Sequence, residues 1–383
     1  MSATLPPPTD AARAHSDAVL GLLRREIEAG GGWISFERYM ALALYAPGLG
    51  YYMAGARKLG RDGDFVTAPE ISRLFGRTLA RQLHALAGDG LVDVLEVGAG
   101  SGALAADLLL ELERLGRIPA RYWMLELSPD LRERSRDTIA ARAPHLLERV
   151  AWLNRLPSTF TGIVIGNEVL DAMPVRVYRR EAEGVVELGV TLRDGRLDWA
   201  ARAPESPPGA PDPSCFPGIG YTSEVQRVAC GFIRTLAASL ARGVALLFDY
   251  GFPRAEYYHP QRAGGTLMCH YRHRAHDDPF FLPGLQDITS HIDFSAIARA
   301  GEEAGLERLG YTSQTQFLVN CGITDVLGET PADDVAAYAP LAAQAQKLLS
   351  PAEMGELFKV IALGRDVSAP LLGFASGDRG HTL

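Results

Sequence analysis

Hydrophobic positions change their spacing along the chain, and the change separates an N-terminal helical part from a longer alternating part. Apolar residues at helical spacing after the capping pair Thr9-Asp10 predict a helix that ends near Ala29. Three glycines at 30–32 break this helix, and a second helical stretch follows. A long irregular segment at 51–70 then precedes a helix predicted at 71–86, and irregular stretches between helices are often functional.

Beyond Leu91 the pattern becomes an alternation of apolar strands and helices. A strand at 92–97 leads through a glycine turn into a helix at 103–115, and a second strand follows at 121–127. The series continues with helices at 130–142, 222–241 and 293–304 and with strands at 150–153, 162–166, 244–249, 307–318 and 357–364. This order predicts an α/β fold with a Rossmann-like parallel sheet and helices on both faces.

Two excursions interrupt the series and define the predicted domain organisation. Alternating apolar residues between 175 and 192, followed by a proline-rich loop, predict an inserted β-hairpin. The predicted parts are an N-terminal helical cover at 1–88, the first part of the Rossmann-like core at 89–174, the hairpin excursion at 175–221, more of the core at 222–251, a second excursion at 252–292, completion of the core at 293–367 and a tail at 368–383.

The composition is that of an ordinary globular protein, with 47% hydrophobic and 22% charged residues. Its formal net charge of -8 argues against broad binding to nucleic acid or to anionic membranes, because both need clustered positive charge. No stretch of about 18 apolar residues occurs, so membrane insertion is not expected. The N-terminal region lacks the layout of a secretion signal, and its acids are unlike a mitochondrial transit peptide, which predicts a cytoplasmic protein.

Neither the cysteines nor the histidines follow a pattern typical of a metal site. The four cysteines lie far apart without a Cys-x-x-Cys pair, so reduced thiols are predicted rather than a zinc site or a disulfide framework. Four histidines between 270 and 291 lie among aspartates, but their spacing fits no compact site, and the neighbouring arginines would repel a cation. No metal is therefore predicted.

The strongest local motif is a glycine turn at 95–103, with the sequence Leu-Glu-Val-Gly-Ala-Gly-Ser-Gly-Ala. Gly98, Gly100 and Gly102 permit a tight turn and let the backbone, including Ala99, approach a ligand closely. Alone the motif is ambiguous. It also fits the dinucleotide pattern, and a turn of this kind can serve only to pack a helix on a strand.

Glu126 at the end of the next strand favours a nucleoside, since a carboxylate there can accept hydrogen bonds from both ribose hydroxyls. A pyrophosphate would gain from a basic residue near the turn. None lies between Glu96 and Asp107, and both of these are acidic, which favours a cationic sulfonium nucleoside. NAD sites also often lack a basic residue, so an NAD-dependent oxidoreductase stays open as an alternative.

Polar residues follow the strand at 162–166. Asn167, Glu168 and Asp171 come at the carboxyl edge of the predicted sheet, where open α/β folds bind their ligands. They could hold a cationic or amino-bearing nucleophile beside the cofactor, and Asn167 is also predicted to bind the cofactor itself. The alternative is a helix N-cap in which the acids favour the helix dipole.

The segment Thr67-Ala-Pro-Glu70 also allows two interpretations. Pro69 at an early helical position and Glu70 in the first turn fit a local helix start. The same segment could instead lie over the cofactor as a lid that excludes water.

Several motifs in combination resemble a known family. They are Tyr-Ala-Pro-Gly-Leu-Gly-Tyr-Tyr at 45–52, Gly-Asp-Phe-Val-Thr-Ala-Pro-Glu at 63–70, the glycine turn, Asn-Glu-Val-Leu-Asp-Ala-Met-Pro at 167–174, Phe-Asp-Tyr-Gly at 248–251, Gly-Thr-Leu at 265–267 and Asp-Ile-Thr-Ser-His-Ile-Asp-Phe at 287–294. From about residue 20 to 365 the chain resembles the MidA-like family of S-adenosylmethionine (SAM)-dependent methyltransferases. The resemblance implies a class I methyltransferase fold, SAM as cofactor and the lid interpretation of Thr67, Pro69 and Glu70. For the family's mitochondrial member it implies dimethylation of an arginine in a quinone-proximal subunit of complex I.

Arginine also makes chemical sense as the nucleophile. A guanidinium has a pKa above about 12 and is a poor nucleophile while protonated, so a site must localise its charge and orient one nitrogen. Glu168 and Asp171 could form a carboxylate fork for this purpose, with Glu168 the first choice, and a carboxylate could accept the proton. The predicted function is SAM-dependent methylation of a protein arginine. A SAM-binding assembly factor that has lost catalysis is the non-enzyme alternative, and the oligomeric state is not predicted.

Overall fold

The chain folds into two units, each built from segments that are distant in sequence. The structure is a computed structural model and describes residues 5–55, 66–204 and 213–383. The first unit combines the described residues before position 66 with Leu170–Gly231 and Arg254–Asp293. The second unit combines Val66–Val169, Phe232–Pro253 and Phe294–Leu383. Residues 63–65 of the predicted lid motif lie outside the described residues.

Helices and strands cover most of the described residues. The helices are α1 (Asp10–Ala29), α2 (Phe36–Tyr45), α3 (Ala68–Ile71), α4 (Arg73–Ala87), α5 (Ala103–Arg114), α6 (Pro129–Arg142), α7 (Arg227–Ser239), α8 (Arg254–Tyr257), α9 (Phe294–Glu303), α10 (Gln314–Asn320), α11 (Ile323–Gly328) and α12 (Val335–Leu349). The strands are β1 (Ile34–Ser35), β2 (Val94–Val97), β3 (Tyr122–Leu125), β4 (Val150–Leu153), β5 (Phe160–Asn167), β6 (Arg176–Glu181), β7 (Gly184–Arg193), β8 (Arg196–Arg202), β9 (Thr222–Val225), β10 (Leu240–Phe252), β11 (Met268–Tyr271), β12 (Arg274–His276), β13 (Asp287–Thr289), β14 (Ile292–Asp293), β15 (Glu307–Ser313) and β16 (Phe358–Arg365).

The second unit contains a sheet whose strands run in the order β15-β16-β10-β5-β2-β3-β4. The neighbours from β10 to β4 pair in parallel, so the predicted α/β fold is confirmed. The expectation of an all-parallel sheet is wrong for β16, which pairs antiparallel with both β10 and β15. After β15 the chain continues through α10, α11 and α12 before it forms β16. This strand lies between β15 and β10, where both faces of the sheet are buried, which explains its apolar sequence.

Hydrophobic spacing explains how the helices attach to this sheet. Along α5, Leu104, Leu108 and Leu112 recur every four residues and are almost fully buried. They share one hydrophobic core with Leu79 and Leu83 of α4 and with the inner strands. Burying each such leucine contributes roughly 1.5–3 kcal/mol, which holds the start of α5 in place beside the end of β2.

The first unit joins three parts that the sequence pattern predicts as separate. Its main sheet has the order β1-β7-β6-β9, with β8 paired to β7. One hydrophobic core contains Val19 and Leu23 of α1, Tyr39 of α2, Val190 of β7 and Ile288 of β13. The N-terminal helices, the hairpin excursion and part of the excursion at 252–292 therefore pack around a common core.

Several boundaries differ from the expected ones. Residues 222–225 form β9 rather than the start of a helix, and the apolar stretch after Ser313 forms α10 rather than a strand. The second unit begins at Val66 rather than near residue 89, because the buried face of α4 packs in its core. The last residues also belong to this unit, where the Phe374 and Phe317 ring centroids lie 5.5 Å apart. Among the described residues, no helix is both long and apolar enough to cross a bilayer.

Candidate functional site

The turn between β2 and α5 is left-handed at each of its three glycines. Gly98, Gly100 and Gly102 have φ angles of 66°, 54° and 79°, which glycine adopts at little cost. A Cβ atom at Gly98 would lie 2.8 Å from Cγ2 of Val169, and one at Gly102 would lie 2.8 Å from the Cα of Ser135. The turn therefore needs glycine both for its conformation and for its close packing.

Glu126 lies against this turn. The backbone N–H of Gly100 donates to Glu126 Oε2 at 3.1 Å, and the N–H of Ser128 donates to Oε1 at 2.9 Å. Burial raises the pKa of Glu126, and the hydrogen bonds from these N–H groups act in the opposite direction. Each carboxylate oxygen keeps the capacity to accept a further donor. The structure thus brings Glu126 and the glycine turn together, and hydrogen bonds to a ribose stay a prediction.

The charges near the turn differ from those that the sequence suggested. Glu96 is buried and accepts a hydrogen bond from the Tyr122 hydroxyl at 2.6 Å. Burial raises the pKa of Glu96 to about 8, so this residue is mostly neutral at pH 7. Asp107 forms an ion pair with Arg142. The expectation that both acids favour a cationic ligand is therefore wrong for Glu96, because its burial opposes ionisation.

Asn167 and Glu168 lie together at the carboxyl end of β5. The Asn167 amide donates to Glu168 Oε1 at 3.2 Å, and the backbone N–H of Ala68 donates to the same oxygen at 3.3 Å. Within the part of the chain that the structure describes, the buried Oδ1 atom of Asn167 accepts no hydrogen bond. Leaving a buried acceptor unsatisfied costs about 1–3 kcal/mol, so this oxygen points to a ligand with a donor group.

The backbone of Glu168 has an uncommon conformation. Its φ of 53° lies in the left-handed region, which costs a residue other than glycine on the order of 1–3 kcal/mol. Its N–H donates to the carbonyl oxygen of Phe248 in β10 at 2.9 Å. A turn rather than a helix follows Glu168, so the helix-cap alternative is wrong for this residue.

Helix α3 contacts the same region of the second unit. Thr67 precedes the helix without a capping hydrogen bond from its side chain, and Pro69 lies in the first turn. The hydroxyl of Ser101, in the glycine turn, donates to the Glu70 carboxylate. The predicted helix start is thus present, and α3 contacts both the glycine turn through Glu70 and Glu168 through Ala68.

Asp171 belongs to the first unit. It is buried, and its backbone carbonyl accepts a hydrogen bond from the N–H of Ser290 at 3.0 Å. The chain continues through a turn into β6, so the helix-cap alternative is wrong for Asp171 as well. The paired arrangement of Glu168 and Asp171 stays a prediction.

Asp249 lies in the motif at 248–251, but the sequence analysis predicts no role for it. It lies near the carboxyl end of β10 and is fully buried. Its Oδ2 accepts a hydrogen bond from the N–H of Val169 at 3.2 Å, and its Oδ1 accepts one from its neighbour Tyr250 at 2.9 Å. The sequence shows that Asp249 is an acid near the end of an apolar strand. It does not show that this strand pairs with β5, because the two segments are distant in sequence.

A family model described as "Putative S-adenosyl-L-methionine-dependent methyltransferase" matches residues 74–312, which is more than half of the chain. The chain belongs to this methyltransferase family. A Burkholderia thailandensis crystal structure with S-adenosyl-homocysteine bound is similar, with 53% identity, a TM-score of 0.95 and coverage of 99% of this chain and 100% of that chain. A native crystal structure from the same organism has 52% identity, a TM-score of 0.92 and the same coverage.

These findings confirm the MidA-like resemblance, the SAM cofactor and the methyltransferase activity over the oxidoreductase alternative. The glycine turn and the unsatisfied oxygen of Asn167 fit a nucleoside cofactor of this kind. In the described residues, no three or more His, Cys, Asp or Glu side chains are grouped as metal ligands.

Two curated relatives carry a more specific name. The Mus musculus protein is named protein arginine methyltransferase NDUFAF7, mitochondrial, and is 29% identical over 91% of this chain and 86% of its own. The Drosophila melanogaster homologue of the same name is 28% identical over 96% of this chain and 92% of its own. The prediction of a cytoplasmic protein is wrong on this comparison, since both relatives are named mitochondrial.

Proposed function

We propose that this methyltransferase transfers the methyl group to a guanidino nitrogen of an arginine side chain in a protein. The observation that carries the proposal is the Glu168 carboxylate, held at the end of β5 by Asn167 and Ala68. Relatives named as protein arginine methyltransferases, at 28–29% identity over most of the chain, support the same substrate.

The chemistry assigns distinct tasks to the residues of the second unit. The cofactor supplies a methyl group on a positively charged sulfur; a nitrogen–carbon bond forms, the sulfur–carbon bond breaks with its electron pair, and S-adenosyl-homocysteine remains. Glu168 holds the guanidinium by a charge-assisted hydrogen bond and orients one nitrogen. The same carboxylate accepts the proton that the methylated nitrogen loses.

We propose that the cofactor binds beside the glycine turn. Gly98, Ala99, Gly100 and Gly102 would let the cofactor approach the backbone closely, and the hydrogen bond between Gly100 and Glu126 supports Glu126 as the acceptor for the ribose hydroxyls. The contacts of Glu70 with Ser101 and of Ala68 with Glu168 support an assignment of α3 as part of the cofactor lid. A lid of this kind would exclude water from the reacting sulfonium.

The family resemblance also suggests which protein contains the methylated arginine. We infer that the methylated arginine lies in a protein related to the quinone-proximal subunit of complex I. Asp171 is proposed as a second carboxylate of the substrate site, in addition to Glu168.

The direct test uses SAM that carries a deuterated methyl group. The purified protein is incubated with this SAM and a cell extract, and peptides that gain the label are sequenced by mass spectrometry. The proposal predicts label on arginine side chains, and an incubation without the enzyme is the control. Label found only on another residue type, such as lysine or glutamine, would refute arginine as the substrate.

A further inference from the structure

The end of β10 contacts the backbone on both sides of the proposed catalytic carboxylate. The carbonyl of Phe248 accepts from the N–H of Glu168 at 2.9 Å, and the next residue, Asp249, accepts from the N–H of Val169 at 3.2 Å. Two consecutive N–H groups are thus bound to two consecutive residues of the neighbouring strand. This arrangement determines the course of the backbone at the point where β5 ends.

The backbone conformation of Glu168 needs such support. Its φ of 53° is unfavourable for a residue with a Cβ atom, and strained residues of this kind persist only where the surroundings hold them. A regular continuation of β5 would direct the side chain elsewhere, because side chains alternate between the two faces of a strand. The left-handed turn therefore sets the direction in which the carboxylate projects.

The carboxyl group of Asp249 is shielded from solvent and contacts backbone N–H groups at the ends of β5 and β10. Its side chain is completely buried, and burying an ionisable carboxyl group is costly unless it is hydrogen-bonded. Its two oxygens accept from the N–H groups of Val169 and Tyr250, one on each of the two adjacent strand ends.

We propose that Asp249 is a positioning residue that keeps Glu168 in the left-handed conformation required for methyl transfer. The inference rests on the proposed role of Glu168 in the reaction, but it does not depend on which residue type receives the methyl group. Asp249 acts through the backbone of residues 168 and 169 and does not itself touch the substrate.

A double-mutant cycle separates positioning from a general structural role. The variants are Asp249→Asn, Glu168→Gln and their combination, and the rate of label transfer from tritiated-methyl SAM to proteins of a cell extract is measured for each. Asp249→Asn keeps the shape and one acceptor oxygen but presents an NH₂ group to one N–H, so the rate should fall about tenfold. In the Glu168→Gln background the same change should lower the rate by less than about twofold, because the side chain being positioned no longer functions.

Additive effects in this cycle would overturn the proposal. Asp107→Asn is the matched control, since it also changes a buried acid of the second unit but one that is paired with Arg142, and its effect should add to that of Glu168→Gln. Thermal unfolding checks that each variant is folded, and Asp249→Ala, which removes both acceptors, should transfer more slowly than Asp249→Asn. The location of the label tests arginine as substrate separately, so failure of the two proposals is distinguishable.

Discussion

At the scale of single residues, Glu126 combines a structural and a ligand-binding task. It already accepts hydrogen bonds from Gly100 and Ser128, and we expect it to accept from the cofactor's ribose as well. Glu126→Ala should therefore weaken binding of S-adenosyl-homocysteine by about 1–3 kcal/mol, which is roughly fivefold to 150-fold. Isothermal titration calorimetry measures this loss. Unchanged affinity would remove Glu126 from the cofactor site, and Glu133→Gln, at an exposed acid of α6, is the control.

Glu96 gives a prediction about pH and stability. Its pKa is about 8 in the folded protein against a usual 4.5, so the folded state binds more protons between these values. The free energy of unfolding should then fall as pH rises through this window, by up to roughly 5 kcal/mol, and level off above it. Its charged and titratable neighbours in this effect are Tyr122 and Glu126.

The variant Glu96→Gln isolates this contribution, because its amide oxygen can still accept from Tyr122 and does not titrate. Chemical denaturation at several pH values between about 4.5 and 8 should show a stability that falls less steeply for the variant than for the unsubstituted protein. Parallel curves for the two proteins would show that Glu96 does not titrate in this range.

Sequence patterns predicted that Glu126 and the glycine turn lie close together, for a physical reason. The glycine turn and Glu126 lie within about one βαβ unit, in which consecutive parallel strands end at the same edge of a sheet. Asp249 is eighty positions from Val169, the residue whose N–H it binds, so only the pairing of β5 with β10 reveals its place. The neutral form of Glu96 depends on burial by residues from several elements, which a motif does not show.

At the scale of elements, the entry into α5 can be tested with a matched pair of glycines. Gly102 precedes α5 with a φ of 79°, and Gly116 follows it with a φ of 73°. A Cβ at Gly102 would lie within 3 Å of Ser135, whereas nothing lies within 4 Å of one at Gly116. Both substitutions by alanine incur the cost of a left-handed residue, but only Gly102→Ala adds overlap.

We therefore expect Gly116→Ala to destabilise the protein by about 1–2 kcal/mol and Gly102→Ala by about 2–4 kcal/mol. Denaturant titration gives both values, and calorimetry should show a loss of S-adenosyl-homocysteine affinity for Gly102→Ala alone. Equal effects of the two substitutions would mean that the packing of the turn against α6 is loose.

Element boundaries were least predictable where an apolar run can form either helix or strand. The residues after Ser313 look like a continued strand, but the Ser313 hydroxyl accepts from the N–H of Gln316 at 3.3 Å and starts α10. Packing decides between helix and strand for these residues, since Phe317 lies in the core of the second unit. Short apolar runs carry too little periodicity to distinguish these outcomes.

At the scale of the whole molecule, the order of the elements along the chain did not predict which elements belong to which unit. The α1 and α2 helices join β6, β7 and β13 because their buried faces form one core, although hundreds of residues separate some of them. By contrast, the fold class followed from the repeated strand and helix pattern, which is set locally. Contacts between elements so far apart in the chain cannot be recognised in a single sequence.

Ligand binding gives a prediction for the complete protein. A ligand that binds only the folded state raises stability by mass action, by about 2.7 kcal/mol at a concentration one hundred times its dissociation constant. S-adenosyl-homocysteine should therefore raise the melting temperature in differential scanning calorimetry, whereas NAD at the same concentration should leave it unchanged. A larger shift with NAD would contradict the assignment of the glycine turn to a SAM site.

The most direct test of the account concerns Glu168 in the complete enzyme. Glu168→Gln keeps the size of the side chain but removes its charge, so the carboxylate can neither balance a guanidinium nor accept its proton. We predict that transfer of the tritiated methyl group to extract proteins falls at least about a hundredfold, while calorimetry shows an almost unchanged affinity for S-adenosyl-homocysteine. Glu133→Gln, at an exposed acid of α6, should transfer normally. Normal transfer by Glu168→Gln would contradict the proposed mechanism.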